Sequence, residues 1–419
     1  LEGLEMKLHY SDLKIETLFV TCLSVILIFL LSNLQAPALA EQMIEKAVPT
    51  AASVKPHLTD ISVENPNAIE KPLVQLAILL DTSGSMDGLI NQARSKIWNI
   101  VNHFATSSRG GVKPRIEVAL FEYGKATLPS SEGYLKMICP LTTDLDLVSE
   151  ELFKLVTNGG DEYCGWVIRS ATQGLAWSPK PRDYKAIFIA GNESFAQGQV
   201  QWKESCAAAV KRGVIVNTIF CGSDNGLEAS VWKEGATAAD GEFSSIDQNV
   251  REVAIAAPQD QEISTLNSVL NSTYMAYGSG GAKFSKRQAA QDTMAASLAP
   301  SVLAQRVQAK ASAAYSNSAW DLVDAQKEGK VSLEAMEEDS MPAELKGKTM
   351  EEKREIVDNL AQKRTEVQAK IKKLTEERER FVAEKKKNSA ETGTSLDAAI
   401  IDAVTKQAAA RGFSFEKGK

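Results

Sequence analysis

With 419 residues, 44% of them apolar, the chain can bury a sizeable core and is longer than one average domain requires. Its formal charge of -7 supplies no global electrostatic reason to bind nucleic acid or anionic lipid, so a nucleic-acid partner is not expected.

The first 40 residues stand apart. "LFVTCLSVILIFLL", Leu18 to Leu31, follows Lys7 and Lys14 and precedes Ala38 and Ala40, which form an A-x-A site. This pattern predicts a secretory signal peptide cleaved after Ala40 and hence export to a periplasmic or extracellular location. An uncleaved anchor is the alternative, although about fourteen apolar residues are short for a membrane span. Residues 41–71, rich in Pro, Ala, Asn and Glu without sustained periodicity, read as a linker.

From residue 72 to 278 strand and helix patterns alternate. "LVQLAILL" is a strand, followed by the amphipathic helix "LINQARSKIWNIVNHF", the strands "RIEVALFEYG" and "YLKMICPL", and the helix "DLDLVSEELFKLV". A Gly-rich loop leads to the helix "GWVIRSATQGLAW", the strand "YKAIFIAG", the helix "VQWKESCAAAVKRG", the strand "VIVNTIFCG", the helical "GLEASVWKEGATAAD" and the short strand "GEFSSID". "DQEISTLNSVLNSTYMAYG" reads as a closing helix. Near-continuous apolar strands in this order predict an α/β fold: a doubly wound, mostly parallel sheet covered by helices on both faces. The close spacing of "RIEVALFEYG" and "YLKMICPL" predicts one antiparallel edge strand.

Residues 279–419 form an α-helical region in this reading. "GSGGAKFSKR" is expected to be a hinge, making the helical tail separable. Met350 to Lys387 carries Ile356, Leu360, Val367, Ile371, Leu374 and Phe381 at spacings of threes and fours, an amphipathic helix with about three heptads of partial coiled-coil character. Arg364 and Arg378 fall where its seam should be apolar, so only weak self-association is expected unless a carboxylate such as Glu366 or Glu376 reaches them. "SLDAAIIDAVTKQAAARG" is a second helix, with Gly412 as its stop.

Four cysteines remain beyond the signal: Cys139, Cys164, Cys206 and Cys221. In an oxidising compartment a bridge is expected, with Cys164 and Cys221 as the favoured pair and buried thiols as the alternative.

The chemistry concentrates in "LLDTSGSMDG", where a buried strand ends in Asp81, Thr82, Ser83, Gly84 and Ser85. Ligands of open α/β sheets bind beyond the carboxyl ends of the strands, and alternate oxygen donors in a tight turn suit a hard divalent cation, magnesium or calcium. The same residues can instead cap the helix beginning near Asp87.

This turn and the strand order resemble the von Willebrand factor type A family, whose metal-ion-dependent adhesion site carries D-x-S-x-S after its first strand. The resemblance implies a doubly wound fold with Asp81, Ser83 and Ser85 around a divalent cation, and a protein partner. The family's second-loop threonine corresponds to Asp161 in "TNGGDEYCG", and its later aspartate to Gly191 in "IFIAGNESF", where Asn192 or Glu193 can substitute. Asp161 and Glu162 can also be read as caps of the next helix. With Asp81, Asp161 and Glu193 as ligands, the site is more acidic and better suited to calcium than the family's usual one.

An enzyme is not expected. His9, His57 and His103 have no evident catalytic neighbours, and no G-x-S-x-G, H-E-x-x-H or P-loop pattern occurs. The leading expectation is therefore an exported, metal-binding module that holds a protein partner, with envelope association and a helical assembly or tethering tail. A scaffold dominated by the tail is the alternative, and a hydrolase a weaker one.

Overall fold

The computed structural model describes residues 71–247, 249, 255–387 and 395–416. The expected signal and the linker up to residue 70 lie outside them. The described residues fall within one compact unit.

The elements of the α/β half are β1 (Leu73–Asp81), α1 (Asp87–Ala105), β2 (Ser107–Ser108), β3 (Arg115–Tyr123), β4 (Leu135–Thr142), α2 (Leu145–Lys154), α3 (Cys164–Gly174), β5 (Tyr184–Gly191), α4 (Trp202–Lys211), β6 (Ile215–Cys221), α5 (Leu227–Thr237) and β7 (Phe243–Ile246). They build a six-stranded sheet in the order β4-β3-β1-β5-β6-β7. All neighbours are parallel except the β3–β4 pair, so the edge strand β4 is antiparallel as its sequence spacing predicted.

β1 is central because it can be dry on both sides. Val74, Leu76, Ile78 and Leu80 face one layer, where Ile90, Ile97, Trp98, Val101 and Phe104 of α1 meet them. Ala77 and Leu79 face the other, against Val167 and Ile168 of α3 and Cys206 of α4. Strand periodicity of two thus appears as a continuous apolar run, with both sides buried.

The C-terminal half contains α6 (Asp260–Asn271), α7 (Gly281–Leu298), α8 (Pro300–Lys310), α9 (Leu322–Lys327), α10 (Met350–Lys387), α11 (Leu396–Ala409) and β8 (Ser414–Phe415). These elements are not a separable tail. Val302, Val307, Ile371, Ile400 and Val404 share one apolar core with β1 and α1, and β8 pairs antiparallel with β2. The expected hinge is also corrected: Gly278 turns the chain at φ +70°, and α7 then starts at Gly281. Its basic character serves packing. Arg287 bonds Asp144 at 2.6 Å and Glu150 of α2 at 2.7 Å.

A buried polar network pins the two halves together. Arg306 of α8, 0% exposed, bonds Asp146 of α2 at 2.7 Å and Asp292 of α7 at 2.6 Å, with its guanidinium 4.6 Å from the ring centre of Trp98 in α1. Lys310 meets Asp292 at 2.8 Å and the amide oxygens of Asn267 and Asn271 at 2.8 and 2.6 Å. Burial alone would raise the Asp292 carboxyl, but the Arg306 and Lys310 charges hold it well below the usual range. Burial pulls Lys310 down to about 8, against the opposing pull of Asp292.

The arginines of the long helix find carboxylates too, though not those of neighbouring turns. Arg364 bonds Asp321 at 2.6 Å and Asp324 at 2.7 Å while lying over Tyr274, and Arg378 bonds Asp260 of α6 at 2.6 Å. The seam of α10 is therefore filled by the chain's own α6 and α9.

Candidate metal centre

β1 leaves the sheet at Asp81, where Thr82 N–H donates to Tyr123 O at 2.8 Å and Ser83 N–H turns back to Asp81 Oδ1 at 2.7 Å. The turn does not cap the following helix: α1 begins after Met86 with no side-chain cap. Nor do Asp161 and Glu162 cap α3, which begins after Tyr163, again without a side-chain cap. The polar residues in both loops are thus left to another task.

The second loop is clamped across the strand ends. Asn158 N–H donates to Thr82 O at 2.9 Å, and Ala126 N–H to Gly159 O at 2.6 Å. Beyond these anchors exposure changes from residue to residue. Asp161 faces outward and accepts from Tyr163 Oη at 3.2 Å. Glu162 and Cys164 face inward and are buried. The acid brought to Asp81 is therefore Glu162, while Asp161 lies on the rim.

The third loop follows β5. Asn192 Nδ2 donates to the exposed Ser85 Oγ at 3.0 Å. Glu193 is exposed, yet its charge is felt at both Asp81 and Glu162. Gly191 stands where a side chain has no room: a Cβ would lie 2.5 Å from Tyr123 Oη and 3.1 Å from Asp81 Oδ2. Tyr123 is fully buried and donates to Ala190 O at 3.0 Å, so it cannot give way easily. Gly191→Ala is expected to destabilise the protein by about 1–3 kcal/mol, measurable by urea denaturation.

Burial pushes the Asp81 carboxyl up to about 7, with the Glu193 charge adding to the rise and the Ser83 backbone N–H opposing it. Burial likewise pushes Glu162 up to about 8, with the Asp81 and Glu193 charges adding. Three buried oxygens here have no hydrogen-bond partner: Asp81 Oδ2, Ser83 Oγ and Asn192 Oδ1. Unsatisfied buried acceptors are costly, and a hard divalent cation would satisfy all three. The donor set fits magnesium or calcium: carboxylate, hydroxyl and amide oxygens without sulfur or imidazole. Among the described residues no group of three or more His, Cys, Asp or Glu is placed to hold a metal ion.

The expected Cys164–Cys221 bridge is absent. Cys139, Cys164, Cys206 and Cys221 are all buried free thiols. Cys164 points at Tyr123 Oη, 3.9 Å away, and Cys206 at Gly235 O, 3.7 Å away. Both pack as small apolar residues in the layer behind the site.

The strand order, the antiparallel edge and the D-x-S-x-S turn closing the central strand now stand together. The fold is von Willebrand factor type A-like. No protein-family model matches the sequence, and no curated protein matches it significantly. Solved structures similar to the A-type half include the SpRpn10 VWA domain, at 15% identity and TM-score 0.32, covering 42% of this chain and 88% of that one. An aerotolerance-related membrane protein from Bacteroides fragilis is 18% identical at TM-score 0.29, covering 42% and 93%. Proximal thread matrix protein 1 of the mussel byssus is 14% identical at TM-score 0.32, covering 42% of this chain; this chain spans 41% of its length.

Proposed function

We propose that this chain is an exported, non-catalytic A-type module that binds one divalent cation beyond the carboxyl end of its sheet and uses the surrounding face to hold a protein partner. The observation that carries the reading is that Asp81 Oδ2, Ser83 Oγ and Asn192 Oδ1, in the loops after two adjacent strands, are all buried and without partners. Asp81, Ser83, Asn192 and Glu162 would hold the cation, with Ser85 beside them and Asp161 and Glu193 on the rim. The cation would lock the three loops relative to one another and so fix the shape a partner meets.

Among the described residues, histidine offers the site no base for a hydrolytic role. His103 bonds Thr405 Oγ1 at 2.8 Å and stacks on Phe415, some sixteen residues and about 24 Å along α1 from the turn. Among the described residues no helix is long and apolar enough to cross a membrane. Export thus rests on the sequence pattern of the first 40 residues. Tail-mediated assembly should be weak, since the α10 seam is spent inside the chain.

Calorimetric titration of the mature protein with magnesium and calcium tests the reading. One site is expected, lost in an Asp81→Ala, Ser83→Ala double variant and kept in Asp161→Asn. Equal binding by the double variant would reject it.

A further inference from the structure

We propose that Glu162 supplies from within the chain the carboxylate that a partner would otherwise bring to the cation, closing this site to acidic ligands. The inference rests on cation binding at Asp81 and deepens that reading by stating what the partner does not provide.

Placement comes first. Glu162 is 5% exposed, and its Cγ and Asp81 Oδ1 border the same point beside Gly124. The point where a Cβ on Gly124 would sit is 2.8 Å from both Asp81 Oδ1 and Glu162 Cγ, so any side chain there would crowd both acids. Gly124 also has φ +79°, a conformation in which other residues are strained. The loop that carries Glu162 cannot drift away. Asn158 N–H donates to Thr82 O just past β1, Gly159 O accepts from Ala126 N–H in the turn after β3, and Glu162 N–H donates to Gln197 Oε1 at 3.3 Å. A Cβ on Gly160 would meet the backbone of Ala126 and Gly124, so the loop lies flat on that turn.

Charge balance then sets the chemistry. One divalent cation is neutralised by Asp81 and Glu162 together, while Ser83 and Asn192 contribute uncharged oxygens. An incoming carboxylate would add a net negative charge to a buried cluster that also feels Glu193, which is unfavourable in a low dielectric. With a neutral residue at 162 the cation would keep one unbalanced positive charge and attract such a ligand. The partner must therefore be read by the rim of the three loops.

Manganese serves as the probe, because water-proton relaxation reports its open coordination positions. Wild type should bind manganese with a relaxation signal that millimolar acetate leaves unchanged. Glu162→Gln should bind manganese more weakly, by about tenfold or more, and acetate should both lower its relaxation signal and restore its affinity. If Glu162→Gln loses manganese altogether, acetate should rescue binding in the folded variant. Acetate entering the wild-type site, or a folded Glu162→Gln indifferent to acetate, overturns the inference while leaving cation binding intact. Folded wild type that binds no manganese overturns the cation reading and this inference with it.

Discussion

Arg306→Met is expected to lower the stability of the protein by about 3–5 kcal/mol, among the largest losses any single side chain here should cause. The substitution keeps much of the stem volume but strands Asp146 and Asp292 in an apolar layer. The guanidinium bonds both carboxylates, donates to Gln288 O at 3.0 Å and covers the Trp98 ring. Lys310 compensates only at Asp292, leaving Asp146 with the Tyr315 hydroxyl at 2.6 Å. Urea unfolding followed by tryptophan fluorescence measures the effect. A loss under about 1 kcal/mol, the usual size for a solvated pair, would mean that water reaches the network. A biphasic curve would show the C-terminal helices parting from the sheet before it melts.

A cation should raise the melting temperature by several degrees, and more at pH 8.5 than at pH 5. In chelated protein the Asp81 and Glu162 carboxyls titrate near 7 and 8, above their ordinary values, so the folded state binds these protons more tightly than the unfolded chain. Their contribution to stability is complete below about pH 4 and is lost as pH rises through about 8. A divalent cation requires both groups ionised and repays the loss, by about 2.7 kcal/mol at a concentration about 100 times Kd. Differential scanning calorimetry with magnesium, calcium or chelator at the two pH values gives the comparison. A cation effect of equal size at both would argue that neither carboxyl has to lose a proton for the cation to bind.

Most of the fold was legible because its strands announce themselves. A segment such as Leu73–Asp81 can be continuously apolar only if helices cover both faces, and the alternation that follows leaves few arrangements open. The association of the C-terminal half was not legible. Nothing in "RVQAK" says that Arg306 and Lys310 are buried; their partners lie on three other helices and are set by tertiary packing. The seam of α10 failed for the same reason, its carboxylates arriving from Asp260, Asp321 and Asp324 rather than from Glu366 or Glu376. At the site, Asp81 and Ser83 follow from the turn, but the choice between Asp161 and Glu162 depends on a one-residue phase that family spacing does not resolve. Gly191 looked like a missing ligand until Tyr123 was seen to occupy its space.

The placement of α11 also constrains the order of events during synthesis. Leu396 N–H donates to Gln92 Oε1 at 2.9 Å, Asn99 Nδ2 to Asp397 Oδ2 at 2.6 Å, and Gln407 reaches Tyr184 and Asn217 on the sheet. One side of the first-made strands therefore waits for a segment translated some three hundred residues later. At a ribosomal pace of about 5–20 residues per second, that surface stays uncovered for tens of seconds. Contacts this distant in sequence slow folding and expose strand edges to other chains, a hazard that falls on the nascent polypeptide before the finished one.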